Sequence, residues 1–207
     1  DSDAGHVTIN AANGNITTSA ISAVGGSTID PTIMGEGGII TLIALDGDAS
    51  NDDGDVITDG AISTSTEIGA TNVYIDAARD VAINQAITTD GGSFTANALR
   101  DVSSTVAGTI TTTGDGVDEA GGLVNIDAGR NVNLAGNIAS VGAASNGVGG
   151  NVNIDTGDGD ITVGGIDARG AGTGPGGNIF LNANDLDNTN ANATGDVTSN
   201  GLVQTNN

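Results

Sequence analysis

The sequence predicts an all-β fold, a parallel β-helix or solenoid of about seven three-stranded coils, on three observations. Apolar residues alternate with polar ones in short runs bounded by Gly, Asn and Asp, which is the signature of half-buried strands. The chain also repeats itself: "GGLVNIDAGRNVNLAGNI" at 121–138 returns as "GGNVNIDTGDGDITVGGI" at 149–166. Finally, 35 of 207 residues are Gly, and Cys, Trp and Lys are absent. The only aromatic side chains are Tyr74, Phe94 and Phe180, so the core must be thin and built from Val, Ile and Ala.

Seven strand-like triplets lead the units: Val7-Thr8-Ile9, Ile40-Thr41-Leu42, Val73-Tyr74-Ile75, Phe94-Thr95-Ala96, Val124-Asn125-Ile126, Val152-Asn153-Ile154 and Ile179-Phe180-Leu181. Successive leads are 33, 33, 21, 30, 28 and 27 residues apart, the period of a stacked repeat. A second strand follows at Val81, Val102, Val132 and Ile161, and a third at Ile87, Ile110, Ile138 and Ile166. A propeller blade needs four strands in about 40–50 residues, so three short strands per turn favour the β-helix. A last pair of strands is expected at Val197 and Leu202. The whole of 1–207 reads as one domain, with insertions around 46–55 and 184–195. At about 4.8 Å per coil, seven coils make a rod about 34 Å tall.

Two columns follow from stacking the leads. Three residues on stand Asn10, Ile43, Asp76, Asn97, Asp127, Asp155 and Asn182, and the next position holds Ala in six units and Thr156 in one. Stacked side-chain amides can pass hydrogen bonds along such a column, so it reads as a structural ladder, although Asp127 beside Asp155 needs a shared proton or a cation. Six residues after the lead come Arg79, Arg100 and Arg130. Three adjacent guanidiniums repel unless carboxylates flank them, which predicts an arginine and carboxylate lattice along one edge; a polyanion groove is the sharper alternative.

The formal net charge is -22, from 26 acidic residues against four arginines. Such a field repels phosphate and argues against nucleic acid and anionic lipid. No apolar run approaches the ~20 residues of a membrane span, so no membrane insertion is expected. The segment "DGDASNDDGD" offers Asp46, Asp48, Asp52, Asp53 and Asp55. Calcium takes six to eight hard oxygen ligands from a flexible loop, so calcium is the predicted cofactor, against the plainer reading of a solvated acidic loop. A second acidic loop carries Asp115, Asp118 and Glu119.

No enzyme is expected. His6 is the lone histidine and no nucleophile motif accompanies it. With no Lys, a lyase acting on acidic polysaccharide lacks its usual basic groups. Outward positions of the first strand run Thr8, Thr41, Tyr74, Thr95, Asn125, Asn153 and Phe180, a Thr- and Asn-rich face suited to glycans. Asn15 and Asn192 each open an Asn-x-Thr glycan acceptor triplet.

The stretches "GGLVNIDAGRNVNLAGNI" and "GGNVNIDTGDGDITVGGIDARG" resemble the shaft repeats of filamentous-haemagglutinin-like bacterial surface proteins, over about Val7 to Leu181. The resemblance implies a right-handed parallel β-helix and an extracellular or cell-surface location in a bacterium. It also implies a role in adhesion, biofilm formation or contact-dependent competition. The family's secretion domain carries an Asn-Pro-Asn signature that this chain lacks, which points to shaft. The expected function is therefore structural: a shaft segment of a large adhesin, or a subunit that stacks end to end with copies of itself into a filament. The alternatives are a calcium-dependent carbohydrate-binding adhesin module and a polysaccharide-active enzyme.

Overall fold

In each coil the alternation of apolar and polar residues is converted into an inside and an outside. The computed structural model describes residues 3–26, 37–47, 53–64, 71–116, 118–184 and 195–206. Its first coil consists of β1 (Val7–Ala11), β2 (Ile16–Thr18) and β3 (Ile21–Ser22), and its seventh of β19 (Ile179–Ala183), β20 (Val197–Ser199) and β21 (Val203–Gln204). Corresponding strands of successive coils pair in parallel, giving three seven-stranded sheets that run the length of the stack. The architecture is a parallel β-helix of seven three-stranded coils. Among the described residues no helix is long and apolar enough to cross a membrane.

All seven predicted leads open a first strand, and each of these strands is five residues long. Its first, third and fifth side chains face inward: Val73, Ile75 and Ala77 are buried, and so are Val124, Ile126 and Ala128. Register is one to one, Val124 on Val152 and Ile126 on Ile154. Full burial of one such Val or Ile contributes about 1.5–3 kcal/mol. The Ala column keeps the first corner narrow enough for the chain to turn into the second strand.

The second and third strands begin at Val81, Val102, Val132 and Ile161, and at Ile87, Ile110, Ile138 and Ile166. The final strand starts at Val203, one residue beyond the expected Leu202. Leu202 occupies the outward position that Ala61 and Ala86 hold before the third strand of their coils, and it is 68% exposed.

Buried hydroxyls close the turn from the third strand back to the first. Thr112 donates to the Gly122 carbonyl at 3.0 Å, and Ser140 of the next coil donates to the same oxygen. Close approach at this corner explains the "GG" before five of the seven leads, Ile40, Phe94, Val124, Val152 and Ile179. A Cβ on Gly122 would lie 1.9 Å from the Gly92 carbonyl oxygen, and one on Gly150 2.2 Å from that of Gly122. Gly92, Gly122, Gly150 and Gly177 form a column of close backbone approach, which the buried Thr71 continues in the third coil.

Candidate functional site

The most continuous polar feature is a ladder at the corner before the second strand. One residue ahead of that strand stand Asn15, Asp55, Asp80, Asp101, Asn131, Asp160 and Asp196, one per coil. In every step the backbone N–H of one rung donates to the side-chain Oδ1 of the rung before it. The distances are 2.8 Å for Asp55 to Asn15, 3.2 Å for Asp80 to Asp55 and 3.1 Å for Asp101 to Asp80. The series continues at 3.0 Å for Asn131 to Asp101, 3.0 Å for Asp160 to Asn131 and 2.9 Å for Asp196 to Asp160. The ladder satisfies a corner N–H that the sheets leave over. Similar bonds recur singly at the other corners, where the His6 Nδ1 accepts the Ile39 N–H at 2.9 Å and Asn137 Oδ1 accepts the Gly165 N–H at 2.9 Å.

Arg79, Arg100 and Arg130 stack directly beside this ladder, the Arg100 N–H donating to the Arg79 carbonyl and the Arg130 N–H to that of Arg100. Each guanidinium reaches back to the carboxylate of the preceding coil. Arg79 Nε lies 3.1 Å from Asp55, Arg100 Nε donates to Asp80 Oδ1 at 2.9 Å, and Arg130 pairs with Asp101. Charges therefore alternate along the axis: Asp55, Arg79, Asp80, Arg100, Asp101, Arg130. Burial pushes the Asp101 carboxyl up, but the hydrogen bonds from Arg130 and from the Asn131 backbone outweigh it and hold the group below its ordinary value. Hydrogen bonding to Asp80, and the Asp80 and Asp101 charges, raise Arg100 further above its ordinary range.

The charges are matched coil by coil. Where the rung is Asp55, Asp80 or Asp101, the next coil supplies an arginine; where it is Asn15 or Asn131, the next coil has Gly54 or Gly159 at that place. Asp160 departs from this rule, since Gly195 precedes Asp196. Outside the ladder, the second sheet is floored by small residues such as Ala82 and Ser103, and a shallow groove of about 560 Å³ runs along the acidic rail.

The column of Asn10, Ile43, Asp76, Asn97, Asp127, Asp155 and Asn182 is in strict register, as the fourth and outward-facing residue of the first strand. Its hydrogen bonds are local. Asn97 Nδ2 donates to the Tyr74 hydroxyl at 3.1 Å, which donates in turn to Asp76 at 3.4 Å. Asn182 and Asn184 donate to Asp155 at 3.2 and 3.1 Å.

Of the acidic segment, Asp48 and Asp52 lie outside the described residues, as does Asn192. Asp55 belongs to the ladder, and Asp46 and Asp53 border a small pocket with Arg79 and Arg100. Among the described residues no group of three or more His, Cys, Asp or Glu side chains is gathered for a metal ion. In the second acidic loop, Glu119 accepts the Asp115 and Gly116 N–H groups at 3.1 and 2.8 Å. Burial, and then the nearby Asp90 and Glu119 carboxylates, push the Asp115 carboxyl up to about 6.

The arrangement holds coils together and offers an open, acidic, repetitive surface. No protein-family model, curated protein or solved structure matches the chain.

Proposed function

We propose that the chain is a rod segment of a bacterial extracellular cell-surface fibre of the filamentous-haemagglutinin-like kind, serving adhesion, biofilm formation or envelope coating. What carries the reading is the ladder from Asn15 to Asp196, unbroken through seven coils. A stack in which each coil bonds only its neighbours is quasi-one-dimensional. It sets distance and stiffness along an axis, and it takes irregular loops at its corners without disturbing the core. The net charge of -22 keeps such a rod soluble and apart from nucleic acid.

Antibody labelling of intact and permeabilised source cells tests this reading. Label on intact cells, standing off from the envelope, is expected; label confined to permeabilised cells overturns it.

A second reading, a calcium-dependent carbohydrate-binding module, is favoured by the Tyr74 hydroxyl held between Asp76 and Asn97 on the open face of the first sheet. In that reading Asp46 and Asp53 contribute to the calcium site. Saturable glycan binding that is lost in Tyr74→Ala and in chelator would favour it over a plain shaft.

A further inference from the structure

The loop between β12 (Ile110–Thr111) and β13 (Val124–Ala128) contains the dipeptide Asp115-Gly116 and is anchored on the fifth coil. The Gly114 N–H donates to the Val141 carbonyl at 3.0 Å, and the Ala143 N–H donates to the Glu119 carbonyl at 2.8 Å. Within the loop one carboxylate oxygen, Glu119 Oε2, accepts both the Asp115 N–H at 3.1 Å and the Gly116 N–H at 2.8 Å. Gly91, one coil back, leaves room for this carboxylate, since an added Cβ there would press on Glu119 Oε1.

We propose that Asp115-Gly116 is a self-modifying bond: the Glu119 carboxylate takes the Gly116 amide proton, the glycine nitrogen closes on the Asp115 side chain as a succinimide, and the ring reopens to isoaspartate.

The reaction starts from a neutral Asp115 carboxyl. The Gly116 nitrogen bonds to Asp115 Cγ as its proton passes to Glu119. That proton then leaves with the Asp115 hydroxyl as water, and Glu119 is a carboxylate again. Solvent water next adds to one of the two ring carbonyls, which it reaches because Asp115 is exposed. Addition at Cγ restores aspartate. Addition at the main-chain carbonyl carbon breaks its bond to the Gly116 nitrogen, so the chain runs on through Cβ and Cγ and the former main-chain carbonyl becomes a free carboxylate. One water is lost and one gained, and nothing is oxidised or reduced.

The surroundings favour each part. Glycine brings no side chain to crowd the closing ring. Ionised carboxylates resist attack, but burial, and then the Asp90 and Glu119 carboxylates, push Asp115 from an ordinary 3.8 up to about 6, so its neutral form persists in mildly acidic solution. Asp90 faces it from one coil back and Glu119 from its own loop.

Of the five other Asp-Gly bonds in the sequence, four give the glycine N–H to a neutral oxygen. Gly47 donates to the Asn13 amide oxygen at 3.2 Å. Gly60, Gly91 and Gly159 donate to the carbonyls of Thr18, Thr113 and Asn184 at 3.2, 3.0 and 2.8 Å. Amide oxygens are far weaker bases than a carboxylate, so they hold that proton without accepting it.

Incubation in heavy-oxygen water tests the chemistry, because every passage through the ring leaves a label, including passages that return to aspartate. The folded chain and the same chain unfolded in urea are incubated between pH 4 and 7, digested and compared peptide by peptide by mass spectrometry. In the folded chain the Asp115 peptide is expected to label about tenfold faster than those of Asp59, Asp90 and Asp158, below the roughly 10²–10⁴-fold of a well-placed proton acceptor. In urea the four are expected to label alike. Glu119→Gln keeps an oxygen for the two N–H groups but no base, and is expected to remove most of the advantage at every pH while leaving the other three rates unchanged. Equal labelling of the four peptides in the folded chain overturns the inference. So does a Glu119→Gln variant whose rate only shifts to lower pH and reaches the parent's maximum, since Glu119 would then act through its charge on Asp115 and not as the base. None of these outcomes touches the rod reading, which the surface label tests.

Discussion

Arg100 reaches across a coil boundary to Asp80, its Nε donating to Oδ1 at 2.9 Å, while the same Oδ1 accepts the Asp101 N–H at 3.1 Å. One carboxylate thus does two jobs, and substitution separates them. Asn131, in the same column, accepts the Asp160 N–H at 3.0 Å through its amide oxygen, so Asp80→Asn keeps the rung and loses only the ion pairs with Arg79 and Arg100. Both pairs are partly solvated, and the expected cost is about 0.5–1 kcal/mol, vanishing at high salt. Asp80→Ala also strands the Asp101 N–H, adding about 1–3 kcal/mol that salt does not remove. Urea midpoints at low and high salt check both; equal costs for the two variants would show that the rung contributes nothing.

Gly122 meets the Gly92 carbonyl so closely that an added Cβ would sit 1.9 Å from the oxygen. Both backbones are pinned by sheet spacing, so Gly122→Ala must open the corner, at an expected cost of about 3 kcal/mol. Gly5 occupies the same column in the first coil with nothing within 4 Å of its added Cβ, and Gly5→Ala is expected to change stability by less than about 0.5 kcal/mol. Similar urea midpoints for the two alanine variants would refute the stacking explanation for the double glycines.

The strands were legible because their period and alternation survive every insertion: leads such as Val124-Asn125-Ile126 are local patterns. The arginine column was legible too, and the expectation of carboxylates beside it matches Asp55, Asp80 and Asp101. The Asx ladder itself was not seen, although it is more regular than the column of Asn10 and Asn182, which Ile43 interrupts. The reason is geometric. Counting from the first strand, the rung lies four residues after Ala11 but eleven after Ala44 and thirteen after Ala183, because insertions fall between first and second strands. Only re-anchoring each coil on its second strand brings Asn15, Asp55 and Asp196 into line. The pairing of Tyr74 with Asn97 was hidden for another reason: it joins side chains of adjacent coils at different positions along the strand.

Thr58 is fully buried, and its hydroxyl has no hydrogen-bond partner among the described residues. Ile83 and Leu134 fill the same inward column, so the site accepts apolar groups. Thr58→Val keeps the shape, removes an unsatisfied hydroxyl and is expected to stabilise by about 1 kcal/mol. Thr156, whose hydroxyl donates to the Gly159 carbonyl at 2.9 Å, is expected to respond in the opposite direction to Thr156→Val. Thermal melts of both variants decide the matter, and a destabilised Thr58→Val would contradict it.

The acidic loop and the charged pairs make opposite contributions to pH dependence. Asp115 titrates at about 6 in the folded chain, against an ordinary 3.8. Folding therefore binds a proton between those values, and the stability associated with this group is full below 3.8 and lost as pH rises through 6. Asp101 and Asp167 are lowered, the latter chiefly by its hydrogen bond to Arg169, so their contributions are present above 3.8 and lost as pH falls through the folded values. Asp115→Asn is expected to raise the urea midpoint at pH 7 to 8 while leaving it near the parent's at pH 4. Parallel curves for parent and variant across that range would remove Asp115 from the account.

Phe94 is the largest fully buried side chain, stacked between Val73 and Val124, and two residues on Ala96 sits between Ile75 and Ile126. The fourth coil thus carries a large and a small residue where its neighbours carry two of middling size, and the summed volume is roughly conserved. A close-packed interior ties such a pair together. Phe94→Val alone leaves a cavity and is expected to cost about 2–3 kcal/mol; Ala96→Ile alone overfills the layer and costs about 1–3 kcal/mol. Combined, they recreate the pattern of the third and fifth coils, so the double variant is expected to be more stable than the sum of the singles by about 1–3 kcal/mol. A double-mutant cycle in urea measures this coupling directly. Additive costs would mean that the two side chains fill separate spaces, and that each coil packs its core without regard to the volume shared along its inner face.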